Sequence, residues 1–246
     1  YPFVIIVNKT ESENETEYYK MQETNTNNIE PLYTKNIVIC NGQLNWSEMF
    51  DVNQELFDKI MSNSKPITDH YSIESAATTS EAYEIKKILE ESSGDQNGNY
   101  YIFVNTGTID RYNVLWEDTS TQYIKDKYNR PIVSSDNLKK NFPRRFEQAA
   151  SAKLILAGMV LRLEAIYDDG KILAGKSTTI IIDKSNKYNI KYLLGLINSK
   201  LMSFIFTTRN RQTSMSGGYI NVNKGQIESL PFYAIDLHNK QENELY

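Results

Sequence analysis

Between Leu193 and Ile205 the apolar side chains of Leu193, Leu194, Ile197, Leu201, Phe204 and Ile205 recur at three- and four-residue intervals. A stripe of this kind lies along one face of a helix and has to be buried against something else. It therefore predicts a single core helix over Asn189–Thr207, the strongest helical signal in the chain. Asn198 and Lys200 flank the stripe and read as structural. The helix delivers the chain into Thr207–Asn221, which reads as a polar, flexible loop carrying Arg209, Arg211, Gln212 and Tyr219. These are side-chain types that bond to base edges in a DNA major groove. No acid occurs from Phe204 to Ile227, a span that also holds Lys224. Gly217-Gly218 either makes a turn or lets the backbone approach a sugar-phosphate, and a short strand then leads into Ser229-Leu230-Pro231-Phe232.

The remaining elements are mixed. Phe3–Val7 and Ile37–Cys40 read as strands, the second closed by Asn41-Gly42. The insert between them, Thr10–Asn28, is rich in Glu, Asn and Thr and is expected to resist ordering. A helix is predicted from Asp51 on Val52, Leu56, Phe57, Ile60 and Met61, stopped by Lys65-Pro66. Thr78-Thr79-Ser80-Glu81 is a capping box, opening a helix that uses Ala82, Ile85, Ile88 and Leu89 and ends at Ser92-Ser93-Gly94. Asn97-Gly98 turns into a strand over Tyr100–Val104. The β-branched runs Ala152–Ile166 and Ser177–Ile182 flank a turn at Asp168-Asp169-Gly170. Helices and strands do not alternate, so the expected class is α+β.

With 246 residues the chain has room for one large domain or two small ones. Its single Cys40 excludes an internal disulfide and points to a reducing cytoplasm. It has no apolar run of about 18 residues to cross a membrane. The opening Tyr1-Pro2-Phe3-Val4 has neither an initiator Met nor a basic leader, which predicts a piece of a larger protein. The net charge of −4 argues against a polyanion partner, but its distribution argues for one. Glu11–Glu30 holds six glutamates against Lys20. Lys125–Lys153 holds eight cations against Asp126, Asp136 and Glu147, a local +5. DNA binding needs a basic face rather than a basic average.

Catalytic signatures are missing. There is no Asn/Asp-Pro-Pro-Tyr tetrapeptide and no glycine-rich loop after a strand to cradle S-adenosyl-L-methionine or a phosphate. His70 and His238 are far apart and have no neighbouring cysteine, so a zinc site is not expected. Asp168, Asp169 and Asp183 near Lys184 fit a turn more simply than a nuclease metal site. No residue is assigned a catalytic role. The positive evidence lies in Leu138-Lys139-Lys140-Asn141-Phe142-Pro143-Arg144-Arg145-Phe146, which interleaves four cations with two aromatics. Pro143 is expected to break any helix there and so to leave Lys139, Lys140, Arg144 and Arg145 on a loop that contacts the DNA backbone.

Two segments carry a family resemblance. One is Lys191–Phe232, with Asn198-Ser199-Lys200-Leu201, the double glycine and the closing Leu230-Pro231-Phe232. The other is Phe103-Val104-Asn105-Thr106-Gly107-Thr108-Ile109-Asp110-Arg111-Tyr112, followed by Trp116. Together they resemble the TaqI-like specificity domains of bacterial N6-adenine DNA methyltransferases and fused (type IIG) restriction-modification enzymes. Specificity subunits of type I restriction systems are similar here, although the tail after Pro231 lacks their long apolar heptads. Ile73–Tyr83 has alanine and serine where relatives often carry a glycine-rich turn.

The resemblance implies a mixed-sheet DNA-methylase specificity domain at residues 41–234 and a polar tail at 235–246. Residues 1–40 would be a two-stranded remnant of a methyltransferase domain. It further implies double-stranded DNA as partner, and a catalytic domain in the same polypeptide that binds S-adenosyl-L-methionine. The chain itself would need no cofactor. Arg111 either contacts DNA or staples its loop to the core, Gly107 is expected to permit the turn before it, and Asp110 is expected to fix the loop by pairing with Arg111. A protein-interaction module without DNA binding is the alternative from another class.

Overall fold

The acidic stretch expected to resist ordering contributes a strand. A computed structural model describes residues 15–23, 29–38, 53–94 and 99–236. In it β1 (Glu15–Glu23) pairs antiparallel with β2 (Ile29–Val38), from Glu15 opposite Val38 to Glu23 opposite Ile29. A bulge falls between Lys20 and Met21. Thr16, Tyr18 and Tyr19 in β1 and Ile29, Tyr33, Thr34, Ile37 and Val38 in β2 are residue types that suit a pleated backbone whatever the net charge. The expected strand Phe3–Val7 lies outside the described residues, as do Cys40, Asn41-Gly42, Val52 and Asn97-Gly98. The chain divides into two compact units, residues 1–62 and 63–246. The first also holds α1 (Gln54–Ser62), whose Phe57 is fully buried.

The second unit is mixed α/β, with two four-stranded sheets at its centre. In the first sheet β3 (Tyr71–Ser75) lies beside β9 (Thr178–Asp183), then β6 (Lys153–Ala157), then β7 (Ala165–Asp168), all antiparallel. Every residue of β6 is buried, as its unbroken apolar Leu154-Ile155-Leu156-Ala157 requires of a strand covered on both faces. In the second sheet β4 (Tyr100–Val104) is flanked by β8 (Ile172–Ala174), parallel, and by β5 (Pro131–Ser134), antiparallel. Glu90–Glu91 extends the far edge beside Pro131 and Ile132.

The helix α2 (Thr79–Lys86) forms the predicted capping box, with Glu81 N donating to Thr78 Oγ1 (3.2 Å) and Thr78 N to Glu81 Oε2 (2.7 Å). It ends three residues before Leu89. Its Ala82 and Ile85 join Tyr101, Phe103, Val133 and Leu173 in the core of the second sheet.

The turn at Asp168-Asp169-Gly170 does not fold β7 back onto its neighbour. It carries the chain from the first sheet into β8 of the second. Gly170 is in the left-handed region (φ 99°), and a Cβ there would sit 2.4 Å from Ala150 O. At the crossing, Lys153 is fully buried and its ammonium donates to Ala149 O (3.0 Å), Ser151 O (3.2 Å) and Asp168 Oδ2. Burial pulls the Lys153 pKa below the usual lysine value, while Asp168 opposes the shift. The Asp168 carboxylate also accepts from Lys171 N (2.9 Å) and Ile172 N (3.2 Å). Lys153 counts among the basic residues of the sequence, but it is buried against Asp168 where the chain crosses to the second sheet and faces no solvent.

The long helix predicted over Asn189–Thr207 is two helices, α5 (Ile190–Ile197) and α6 (Lys200–Asn210). Ser199 starts the second by accepting from Met202 N (3.0 Å). Buried Asn198 brackets Ala165 in β7, accepting from its N and donating to its O, both at 2.9 Å. The break resets the helical phase. Leu201, expected in the core, is 50% exposed, whereas Met202, Ser203 and Phe206 are buried.

The helix α7 (Lys224–Glu228) is capped by Asn223 and leads to Pro231–Phe232, which pairs antiparallel with Lys65–Pro66. Phe232 is fully buried among the rings of His70, Tyr71, Tyr188 and Tyr192, at 5.3–5.9 Å between centroids. Among the described residues no helix is long and apolar enough to cross a membrane, and no group of three His, Cys, Asp or Glu side chains is placed to hold a metal ion.

Candidate nucleic-acid interface

The basic cluster lies on two helices rather than on a loop. These are α3 (Ser135–Asn141) and α4 (Pro143–Ala150), joined at Phe142. Proline fixes φ near −65° and lacks the N–H that a first helical residue does not use, so Pro143 opens α4 instead of ending order. Lys139 and Lys140 occupy the last turn of α3, where the helix dipole favours cations. Both are exposed, and Lys139 Nζ stands 5.6 Å over the Phe146 ring. Arg144 is exposed and lies 3.6 Å from Glu74 Oε2.

Arg145 does not belong to this surface. It is 4% exposed, and its guanidinium grips Glu81 with two bonds, from Nε to Oε1 (3.2 Å) and from Nη2 to Oε2 (2.9 Å). Nη1 donates to Ser75 O (3.1 Å) and Gln148 Oε1 (2.7 Å), and Gln148 in turn donates to Glu74. The bond from Arg145 pulls the Glu81 carboxyl down to about 2, assisted by the Thr78 amide and against the effect of burial. Successive helical residues project about 100° apart, so Arg144 faces out while Arg145 faces in. Of the eight cations between Lys125 and Lys153, Arg145 and Lys153 are buried and the other six are exposed.

Arg111 staples its loop. Its Nε donates to Leu163 O (3.2 Å) and its Nη2 to Ser203 Oγ (3.0 Å), while Ser203 Oγ also accepts from Leu163 N (3.2 Å). Asp110 does not pair with the Arg111 guanidinium. Its carboxylate accepts from the Arg111 backbone N (2.7 Å) and lies 3.6 Å from Arg162. Gly107 has an ordinary φ and open space around it. The turn is made instead by Thr108, which bonds back to Asn105, and by Thr106, whose Oγ1 donates to Ser177 O (2.5 Å) and accepts from Gly158 N (3.1 Å).

Residues 207–221 are folded into turns. The helix α6 runs to Asn210, single 3-10 turns follow at Arg211–Thr213 and Ser216–Gly218, and Ile220–Asn221 pairs with Met159–Val160. Both glycines are left-handed, with φ 80° and 82°, which is the turn reading of Gly217-Gly218. Arg209 donates to Ser229 O, so it ties the end of α6 to the closing segment. Arg211, Gln212 and Tyr219 are exposed. Lys224 is exposed and lies 3.5 Å from Glu228, one residue beyond the acid-free span.

The candidates thus fall into two groups, one on α3 and α4 and one on the turns around the Ile220–Asn221 ladder. The second group gains residues that pattern alone misses. Met159, Leu161 and Arg162 are exposed on the strand and bend opposite those turns, although they sit inside a run that reads as buried strand. Residues 102–232, just over half of the chain, match the family model described as the TaqI-like C-terminal specificity domain. No curated protein matches the chain.

Proposed function

The chain belongs to the family of TaqI-like C-terminal specificity domains, and we propose that it recognises a DNA target sequence for a restriction-modification enzyme. In this reading Lys139, Lys140 and Arg144 bond to phosphates and set the register of the duplex. Arg211 and Gln212 reach base edges, with Tyr219 and Lys224 beside them. Arg111, Arg145 and Arg209 shape the surface from behind. The observation that carries the reading is that the family match encloses all of these residues. The chemistry would belong to an N6-adenine methyltransferase domain in the same polypeptide, which would bind S-adenosyl-L-methionine and draw the adenine out of the stack. The β1–β2 ladder would be the rim of that domain.

Two expected results test this. Replacing Lys139, Lys140 and Arg144 together with alanine weakens binding of the chain to all duplexes alike. At about 0.9 per phosphate contact, the slope of log K against log salt flattens by up to about 3 units. An unchanged slope shows that these cations only face solvent. Arg211→Ala costs about 1–3 kcal/mol on the preferred duplex and less on others. Sequencing the duplexes that wild type and variant select from a random pool reads this out. Relaxed preference at one or two positions supports base contact, and an equal loss on every sequence assigns Arg211 to the backbone.

A further inference from the structure

The ladder between Met159–Val160 and Ile220–Asn221 is a two-stranded sheet of its own, antiparallel, with Met159 opposite Asn221 and Val160 opposite Ile220. Val222 N donates to Gly158 O (2.8 Å) and carries the pairing one step further. Successive side chains of a strand point to opposite faces. Val160 and Ile220, each 2% exposed, anchor one face in the core, and Met159 and Asn221 stand together on the other. Met159 is 46% exposed. Asn221 is exposed too, and its carboxamide has no hydrogen-bond partner among the described residues. Leu161 and Tyr219 continue the exposed face toward the turn, where Leu161 Cδ2 lies 3.7 Å from the position a Cβ would take on Gly218.

A carboxamide and a thioether side by side match the two halves of one base pair. In the major groove an A·T pair shows the adenine N7 acceptor and N6 amino donor, which a carboxamide meets with two bonds. Next to them stands the thymine C5 methyl, which takes apolar contact. Opposite residues of a ladder hold their Cβ atoms about 4.5–5.5 Å apart, so both side chains can reach the same or adjacent pairs. The groove itself is wide enough to admit a two-stranded ribbon.

We infer that the exposed face of this ribbon reads an A·T base pair, with the Asn221 carboxamide on adenine and Met159 against the thymine methyl, an assignment that rests on the DNA-recognition reading above. Charge favours DNA as the occupant. Both strands run through acid-free sequence, from Leu154 to Leu163 and from Phe204 to Ile227. Arg211 and Gln212 stand exposed in the turns that lead into the second strand. Beyond Leu161, Arg162 lies between Glu164 (3.3 Å) and Asp110 (3.6 Å) and offsets part of their charge.

The test takes the duplex that the whole chain selects from a random pool and rebuilds it with one base analogue at a time. Deoxyuridine in place of thymidine removes only the methyl group, and 7-deazaadenine in place of adenine removes only the N7 acceptor. Wild type is expected to lose about fourfold in affinity to the first, the worth of one buried methyl group, and about tenfold to the second, at the same or adjacent A·T pairs. Met159→Ala is expected to lose the sensitivity to deoxyuridine, and Asn221→Ala the sensitivity to 7-deazaadenine. Both residues are exposed, so both variants keep a Tm close to wild type. A selected duplex without an A·T pair, or a wild-type scan in which neither analogue matters at any position, overturns this inference and leaves DNA recognition standing. Sensitivities that persist in both variants do the same, since other side chains then make the contacts. Wild type that selects no duplex overturns both readings. The wild-type scan requires no variant to fold.

Discussion

Replacing Asp168 with alanine is expected to destabilise the second unit by about 3–5 kcal/mol, the usual cost of leaving a buried charge without its partner. Lys153 is fully buried, and of its three acceptors only the carboxylate carries charge. The variant also strips the acceptor from the Lys171 and Ile172 amides at the crossing between the sheets. Urea denaturation measures the loss. The double variant Lys153→Met/Asp168→Leu is expected to recover the part due to the unpaired charge, because two apolar chains replace a pair whose desolvation offsets its attraction, while the Lys171 and Ile172 amides stay without their acceptor. Without Asp168, burial acts on Lys153 against the charge of Asp169 alone and holds its folded pKa further below the unfolded value. Its unfolded state then binds more protons, so the deficit shrinks as pH rises toward the ordinary lysine pKa. An Asp168→Ala variant within about 1 kcal/mol of wild type contradicts this account, since surface-like substitutions are what cost so little.

Arg145→Ala should cost about 2–4 kcal/mol. The estimate is lower because Glu81, unlike Asp168, keeps some contact with water. Its neighbour Arg144 is exposed, and Arg144→Ala should fall within about 0.5 kcal/mol of wild type. The pH dependence separates the two. Glu81 has its folded pKa held at about 2 against an ordinary 4.5. A depressed carboxylate contributes stability that is fully present above the unfolded value and lost as pH falls through the folded one. The advantage of wild type over Arg145→Ala is therefore constant above pH 4.5 and shrinks between pH 4.5 and 2. Thermal unfolding across that range checks it. A gap that stays constant through acid assigns the role of Arg145 to packing alone.

What could be read from residues depended on how local the determinant was. The capping box at Thr78–Glu81 and the strand Tyr100–Val104 were legible because cap and alternation lie within a few positions. The α+β class followed from the order of elements, and the family resemblance from two segments that fall inside the matched region. The break at Asn198–Ser199 was hidden because a serine cap inside an apolar run looks like a tolerated polar residue. Its partner Ala165 is far away in the chain. Arg144 and Arg145 are indistinguishable as letters, and only the rotation between them sends one to Glu81 and the other to solvent. The turn at Asp168–Gly170 was visible as a turn. Its crossing between sheets was not, since it depends on where β8 finds a partner.

Pro231–Phe232 lies beside Lys65–Pro66, so among the described residues the last strand of the second unit pairs with its first. A block whose first and last strands share one ladder behaves as a cassette, since residues 65 and 232 open and close it at a single edge. The sheets and the exposed turns can then be exchanged as a block without changing the reach between the flanking segments. A new set of contact residues would arrive already folded. The Phe232 lock among His70, Tyr71, Tyr188 and Tyr192 travels with the block, because all five rings lie within it.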